Sequence, residues 1–214
     1  MDIAIELPYA GSIGFMLTVL RSDHIYFDAY ENYRKGSYRN RCRIQNANGV
    51  LSLSIPLVHG KNQNTPYKDL KICYSQQWQK MHWTGLTSSY RRSPYFEYYE
   101  DEFYTFYHTE TRYLLDFNQQ FFDVICRILK YSPSYDFSET YLNTEELSNK
   151  HLLDYRGLHH PKTHKNKVQY DYPPYSQVFS DRMPFIPDLS ILDLLFNKGT
   201  RSLEYLQECL KLNN

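Results

Sequence analysis

The first 28 residues constrain the fold most strongly, because they alternate between a strand pattern and a helix pattern. Residues 3–7 (IAIEL) alternate apolar and polar side chains, as a half-buried strand does. Pro8 ends that run, and residues 11–21 follow with an apolar face at helical spacing and Ser12 in position to cap it. Residues 24–28 (HIYFD) repeat a short strand pattern. A strand, a helix and a second strand in this order open an α/β unit.

Later segments add a hairpin and several helices. Asn48-Gly49 is a strong turn dipeptide, and alternating stretches flank it, which predicts a β-hairpin over residues 41–56. Two further strands are expected at 69–74 and 135–139. Helical spacing of apolar residues predicts helices over 76–90, 97–109 and 113–131, and two short helices at the chain end. We therefore predict one α/β domain over 1–214, with a mixed sheet of about five strands that includes the hairpin, flanking helices, and a long surface loop at 143–172.

Tyrosine is unusually abundant. It accounts for 22 of the 214 residues, whereas only 8 are glycine. Since aliphatic residues are correspondingly few, we expect tyrosine rings to supply part of the core packing, with their hydroxyls reaching water or polar partners.

The charge balance, the lack of long apolar stretches and the cysteine spacing exclude several classes of protein. The chain carries 24 Lys and Arg against 24 Asp and Glu, and non-specific nucleic-acid binding relies on excess cations, so no nucleic-acid partner is expected. No stretch approaches the about 20 apolar residues of a membrane span, and Asp2 and Glu6 stand where a signal peptide would be basic. The four dispersed cysteines are typical of thiols in a reducing compartment. These features favour a cytoplasmic protein.

The motifs GxGxxG, GxxxxGK[ST], HExxH and GxSxG are all missing, so no cofactor is expected. His159, His160 and His164 lack the partner set that zinc needs, and we interpret them as part of a basic, solvated loop rather than as a metal site.

The densest polar constellation lies between the second strand and the hairpin. It comprises Asp28, Glu31, Lys35, Tyr38, Arg39, Asn40 and Arg41. On an extended chain Arg39 and Arg41 point the same way and could clamp a phosphate or carboxylate. Asp28 and Glu31 could bind an amine or act as a base. The alternative is an exposed charged edge that merely protects a hairpin strand, and spacing alone favours it.

Outside that segment, His82 is the strongest candidate for a catalytic side chain. It follows Trp78 by four residues, so both lie on one helical face, and the indole could desolvate the imidazole and prepare it as a general base. A core histidine is the alternative, and the more common one. Asp193 could enter a site, but a cap at the start of its helix is the simpler role.

Two long blocks and several short motifs resemble the WbqC-like protein family. The first block lies over 31–44, with the pattern E-x-Y-x-K-x-x-Y-R-N-R-C-R-I, and the second over 185–199, with the pattern F-x-P-x-L-S-I-L-D-L-L-F-N-x-G. Between them the shorter matches include Trp78-x-x-x-His82, Tyr90-x-x-x-Pro94-Tyr95-Phe96 and Tyr175-x-Gln177, in the family's order. The resemblance covers about residues 25–199, most of the chain.

This resemblance implies a role in surface-polysaccharide (O-antigen) biosynthesis, in which a glycyl or acyl group passes to the amine of a nucleotide-linked amino sugar. In that reaction His82, Glu31 and Asp28 would be catalytic. Substrate-binding residues would be Lys35, Tyr38, Arg39, Asn40, Arg41, Trp78, Tyr90, Asp193 and Asn197. The acyl donor would arrive already activated, because no ATP motif is present. The alternative is a non-catalytic ligand-binding or scaffolding protein of a polysaccharide assembly, which the same phosphate clamp would serve.

Overall fold

The computed structural model describes residues 1–58, 64–159 and 170–213. Its strands are β1 (Asp2–Ile5), β2 (His24–Phe27), β3 (Arg41–Asn46), β4 (Gly49–Ser54), β5 (Tyr135–Phe137) and β6 (Leu153–Asp154). Its α-helices are α1 (Ile13–Arg21), α2 (Trp78–Tyr90), α3 (Phe96–Tyr104), α4 (Leu114–Leu129), α5 (Thr144–Asn149), α6 (Ile191–Lys198) and α7 (Ser202–Leu212). Short 3₁₀ turns lie at Tyr38–Asn40, Tyr67–Asp69, Thr105–Tyr107 and Gly199–Arg201.

The strands form two sheets, and this confirms the α/β class. A four-stranded sheet has the order β5-β2-β1-β6, and all its neighbours are parallel. Helix α1 joins β1 to β2, because parallel strands need a crossover connection. The hairpin is confirmed, with β3 and β4 antiparallel, but it forms a separate two-stranded sheet instead of extending the first.

Two segments differ from the sequence-based expectation. The strand predicted at 69–74 is wrong: a 3₁₀ turn ends at Asp69, and only single bridges follow, from Ile72 to Leu57 and from Lys71 to Tyr113. The 143–172 segment, expected as a loop, contains α5 and β6 in its described part. Asn143 and Glu146 cap α5 reciprocally, which gives this short helix a defined start. Residues 160–169, with His160 and His164, lie outside the described residues.

Aromatic side chains fill much of the core, as the tyrosine count led us to expect. Tyr9, Tyr67 and Tyr90 are fully buried, and each hydroxyl has a polar partner. The apolar stripe of α4 packs Phe117 and Phe121 against the Tyr9 ring. All four cysteines carry free thiols. Within the described ranges, no helix combines the length and the apolar character that crossing a bilayer requires.

Candidate functional site

The residues expected to form one site are divided among three places in the fold. Asp28, Glu31 and Arg39 lie at the carboxyl end of the parallel sheet. Trp78 and His82 lie together in the aromatic core, with their rings 5.0 Å apart. Tyr90, Asp193 and Asn197 lie together around α6. The structure therefore brings the predicted residues into separate groups, and each has its own chemistry.

At the sheet edge, Asp28 follows β2, in the position where parallel α/β sheets commonly bind ligands. Its Oδ1 accepts hydrogen bonds from the backbone N–H groups of Tyr30 and Glu31. Its Oδ2 lies 2.6 Å from Nη1 of Arg156, which follows β6. The Asp28 carboxylate is therefore buried and already paired with a cation, so it is poorly placed to bind an amine or to accept a proton.

Arg39 is fully buried, and its guanidinium pairs with Glu31 and lies over the Tyr67 ring. Arg41 is only half-buried and donates from Nε to Ser54 Oγ at 3.0 Å. The Tyr38–Asn40 turn interrupts the extended chain between the two arginines, so their side chains are directed to different partners. The clamp expected from their two-residue spacing is not formed.

The other members of the 28–41 constellation are dispersed. Lys35 is exposed, whereas the Asn40 side chain donates to the Ile55 carbonyl and accepts from the Tyr33 hydroxyl. Tyr38 and Arg41 line a crevice of about 10 Å³, which has room for about one water molecule.

His82 is a core histidine with only 2 % of its surface exposed. Its Nδ1 lies 3.2 Å from the hydroxyl of Tyr9. Burial lowers the pKa of His82 to about 4, so the imidazole is neutral near neutral pH. The protonation state would suit a general base, but the ring lies away from solvent.

Asp193 is fully buried, and three donors converge on its carboxylate. The Tyr90 hydroxyl donates to Oδ1 at 2.8 Å, and the Tyr175 hydroxyl donates to Oδ2 at 2.6 Å. The Gln177 amide adds a third hydrogen bond to Oδ2 at 3.0 Å. Burial raises the pKa of Asp193, and these three hydrogen bonds partly offset the increase. The expected helix-cap role is wrong for this side chain, because Ser190 caps α6 instead.

An open cavity of about 390 Å³ lies beside this carboxylate network. Its walls include Tyr95, Tyr175, Ser176, Asn197, Lys198 and Arg201, and we call it the Asn197 cleft. The Asn197 side chain donates to the Asp193 carbonyl at 2.7 Å, which fixes its orientation. Of the expected site residues, Asn197 therefore borders a ligand-sized space, and Tyr90 and Asp193 support its wall from behind.

Tyr95 is held in the cleft wall by the end of α6. Its backbone N–H donates to the Phe196 carbonyl at 3.0 Å. Its ring packs on Gly199, where φ is +57° and an added Cβ would stand 2.3 Å from a ring carbon. Only glycine fits both the backbone conformation and this close approach. The C-terminal stop expected at Gly199 is confirmed, and it also makes room for an aromatic wall.

The cleft carries positive charge at the carboxyl end of α6. Lys198 places Nζ 5.3 Å from the centre of the Tyr205 ring, and Arg201 places Nε 3.3 Å from a carboxylate oxygen of Glu204 at the surface. Of the described residues that line the cleft, none is acidic. The lining therefore combines two cations, an oriented amide and two tyrosine rings, which suits an anionic polar ligand better than an apolar one.

Sequence reasoning did not select several of these cleft residues. Tyr95 and Tyr175 belong to the family-like motifs, but Ser176, Lys198 and Arg201 had no spacing signal that separated them from ordinary surface residues. Arg201 lies beyond the Gly199 turn, so its position next to Asn197 depends on that turn. In the described part of the chain, no group of three or more His, Cys, Asp or Glu side chains is arranged to hold a metal ion.

Comparison with known proteins assigns the family. The model of the WbqC-like protein family matches residues 7–167 and 163–205. The chain belongs to the WbqC-like family. This WbqC-like chain is also similar to an uncharacterized protein, Rv1507c, of Mycobacterium tuberculosis, with 26% identity over 230 residues that cover 95% of this chain and 94% of the relative. No solved structure shows significant similarity to it. The family-matched range contains both the hairpin block and the Asn197 cleft of this WbqC-like chain.

Proposed function

We propose that this protein serves surface-polysaccharide (O-antigen) biosynthesis by binding an anionic sugar derivative, a nucleotide-linked amino sugar, in the Asn197 cleft. The pathway is an inference from family membership. That the ligand is a nucleotide-linked amino sugar is likewise an inference from the family. That it is anionic is an inference from the cleft, whose open volume, two cations and absence of acidic lining among the described residues carry the proposal.

The size and lining of the cleft support a sugar-phosphate ligand. Small-molecule sites typically enclose about 300–1,000 Å³, and the cleft has about 390 Å³. Lys198 and Arg201 would contact the phosphate oxygens. Tyr95 would pack against a sugar or base ring, and the Asn197 and Ser176 side chains would hydrogen-bond to hydroxyls.

The transfer of a glycyl or acyl group to the sugar amine, which the family resemblance implies, is the second candidate. Of the described residues that line the cleft, none has a carboxylate or an imidazole that could accept the amine proton. Asp28 and Glu31 are paired with arginines, and His82 is buried in the core. The geometry therefore supports ligand binding more directly than turnover, and the non-catalytic alternative remains compatible with the same cleft.

The test is ligand binding by calorimetry and thermal shift, with uridine diphosphate amino sugars and uridine monophosphate as the anionic probes and the uncharged N-acetylated free sugars as the neutral ones. A nucleotide sugar at 100 times its Kd should stabilise the fold by about 2.7 kcal/mol, whereas the neutral sugars should give much smaller shifts. Higher salt should weaken binding, because Arg201 is exposed and Lys198 is only partly buried. If neutral sugars bind as tightly as the nucleotide sugars, the proposed anion site is wrong.

A matched control uses a second cavity that is also lined by two cationic side chains. Lys198→Gln combined with Arg201→Gln removes the two cleft charges and should weaken binding at least about tenfold, since hydrogen bonds to charged groups contribute about 1.5–3 kcal/mol each. Arg127 and Lys130 line a separate cavity of about 490 Å³, and Arg127 pairs with Glu102 much as Arg201 pairs with Glu204. Arg127→Gln with Lys130→Gln makes the same charge change elsewhere and should leave Kd unchanged. Turnover is tested separately by mass spectrometry of the sugar after incubation with an activated acyl donor.

A further inference from the structure

A serine, a histidine and an aspartate lie side by side where the parallel strands β2 and β5 begin. Ser134 Oγ is 2.7 Å from Nδ1 of His24. Oδ2 of Asp136 is 3.1 Å from Nε2 of the same imidazole. The imidazole thus stands between a hydroxyl and a carboxylate, which is the order that activates a serine nucleophile.

The arrangement follows from the register of the two strands. Ile25 pairs with Tyr135, and Tyr26 pairs with Asp136. His24 therefore stands opposite Ser134, and Asp136 is the diagonal neighbour on the same face because side chains alternate along a strand. The backbone N–H of Ile25 donates to the Ser134 carbonyl at 3.0 Å, which fixes the serine beside the histidine. The Tyr26 ring meets the imidazole edge-on, with centroids 4.6 Å apart, and limits its rotation.

We propose that Ser134 is a nucleophile that accepts an acyl group from an activated ester or thioester, with His24 as its general base. The Ser134 oxygen attacks the carbonyl carbon and forms the new C–O bond, while its hydroxyl proton passes to Nδ1 of His24. The bond to the leaving alcohol or thiol breaks, and that group departs with the proton from Nδ1. Water then attacks the acyl-serine by the reverse use of the same base, which regenerates the hydroxyl and releases the acid. This activity is separate from ligand binding in the Asn197 cleft.

The geometry also sets the scope of this activity. His24 presents Nδ1 to the serine and Nε2 to the carboxylate, the reverse of serine proteases, but either nitrogen can accept a proton while the other carries one. The Asp136 contact lies off the N–H direction, so it does not form an aligned hydrogen bond, and its side chain is 68% exposed. Its electrostatic attraction to the imidazole is therefore modest. Ser134 lies on an open surface rather than in a water-excluded pocket, so we expect it to react with activated esters and not with amides.

The experiment uses the full chain and p-nitrophenyl acetate. Release of p-nitrophenolate gives the rate, and peptide mapping by mass spectrometry after rapid acid quenching locates the acetyl group. We expect acetylation at Ser134, its complete loss in Ser134→Ala, and a reduction in rate of about 100-fold or more in His24→Gln, the usual contribution of a general base.

Ser132→Ala is the matched control, because Ser132 is also exposed and lies only two residues earlier. This variant should retain the acetylation rate and the site. All three substitutions change side chains at the surface or its margin, and circular dichroism with thermal melting verifies that each variant is folded. The proposal is overturned if the acetyl group is found on other residues in preference to Ser134, or if His24→Gln is acetylated at the rate of the unmodified chain.

Discussion

The carboxylate of Asp193 offers the sharpest test of the candidate site, because two tyrosines donate to it, one to each oxygen. Tyr175→Phe removes one hydrogen bond to a buried charged group, which should destabilise the fold by about 1.5–3 kcal/mol. Tyr90→Phe removes the equivalent bond to Oδ1. It also removes the acceptor of the Gln45 backbone N–H, which donates to the Tyr90 hydroxyl at 3.1 Å. Leaving the Gln45 N–H without an acceptor should lower the free energy of unfolding by another ~1–3 kcal/mol. Tyr90→Phe should therefore be the more destabilising change.

Ligand binding should show the opposite order. Tyr175 lines the Asn197 cleft, whereas Tyr90 lies behind Asp193 and does not border the cavity. Urea unfolding followed by circular dichroism measures stability, and calorimetry with a nucleotide sugar measures affinity. We expect Tyr90→Phe to lose more stability and Tyr175→Phe to lose more affinity. If one variant loses more in both assays, the distinction between Tyr90 as a support behind the cleft wall and Tyr175 as part of the wall surface is wrong.

The pH dependence of these variants provides an independent check. Burial raises the pKa of Asp193 above its unfolded value, and the tyrosine hydrogen bonds lower it. A carboxyl whose folded pKa is raised binds its proton more tightly in the folded state, so its protonation in acid favours folding. Removing either tyrosine donor raises that pKa further. The destabilisation by Tyr90→Phe should therefore become smaller as the pH falls from neutral toward the Asp193 pKa, and a pH-independent difference would contradict the assignment.

Three further predictions concern the scaffold, each measured by urea unfolding. Gly199→Ala should destabilise the fold more than Gly49→Ala, because both residues have positive φ but only Gly199 has ring atoms within 2.5 Å of the added Cβ. The backbone strain alone should cost about 1–3 kcal/mol in each variant. Equal losses of stability would contradict the packing argument. Arg156→Met breaks a buried ion pair and should cost about 3–5 kcal/mol, whereas the more exposed Arg34→Met should cost about 1 kcal/mol or less. Burial lowers the pKa of His82 to about 4, so the unfolded chain binds the proton at a higher pH than the folded chain does. Lowering the pH from about 6.5 to about 4 should therefore reduce the free energy of unfolding by about 3 kcal/mol. His82→Leu should lose less stability over that range, and an unchanged slope would refute the assignment.

Local sequence patterns predicted the elements whose structure depends only on residues within one short segment. The Asn48-Gly49 turn and its alternating flanks predict the hairpin because both signals lie within the same short segment. The apolar stripe predicts α4 for the same reason, with observed bounds of Leu114–Leu129. The 69–74 segment shows the limit of such patterns, since alternation over a few residues is compatible with a strand but does not supply a partner to pair with.

The candidate site depended on contacts between distant parts of the chain. The motifs selected Tyr90, Asp193 and Asn197, and the structure does bring these three together. The same motifs also selected Arg39 and His82, which the fold buries in other places. Residue type and spacing could not separate these cases, because burial and partners are set by the packing of helices that are far apart in sequence.

The sequence alone determined the α/β class, the hairpin, the main helices and the resemblance to the WbqC-like family, because these depend on short-range periodicity, turn chemistry and residue identity. Tertiary structure decided which polar residues face a cavity and which are neutralised inside the fold. Asp28 and Asp193 are both buried carboxylates that follow apolar segments, yet one is paired with Arg156 and the other accepts hydrogen bonds from two tyrosines and Gln177. That difference has a long-range cause: the partner of Asp28 lies 128 residues away, and Tyr90 lies 103 residues from Asp193.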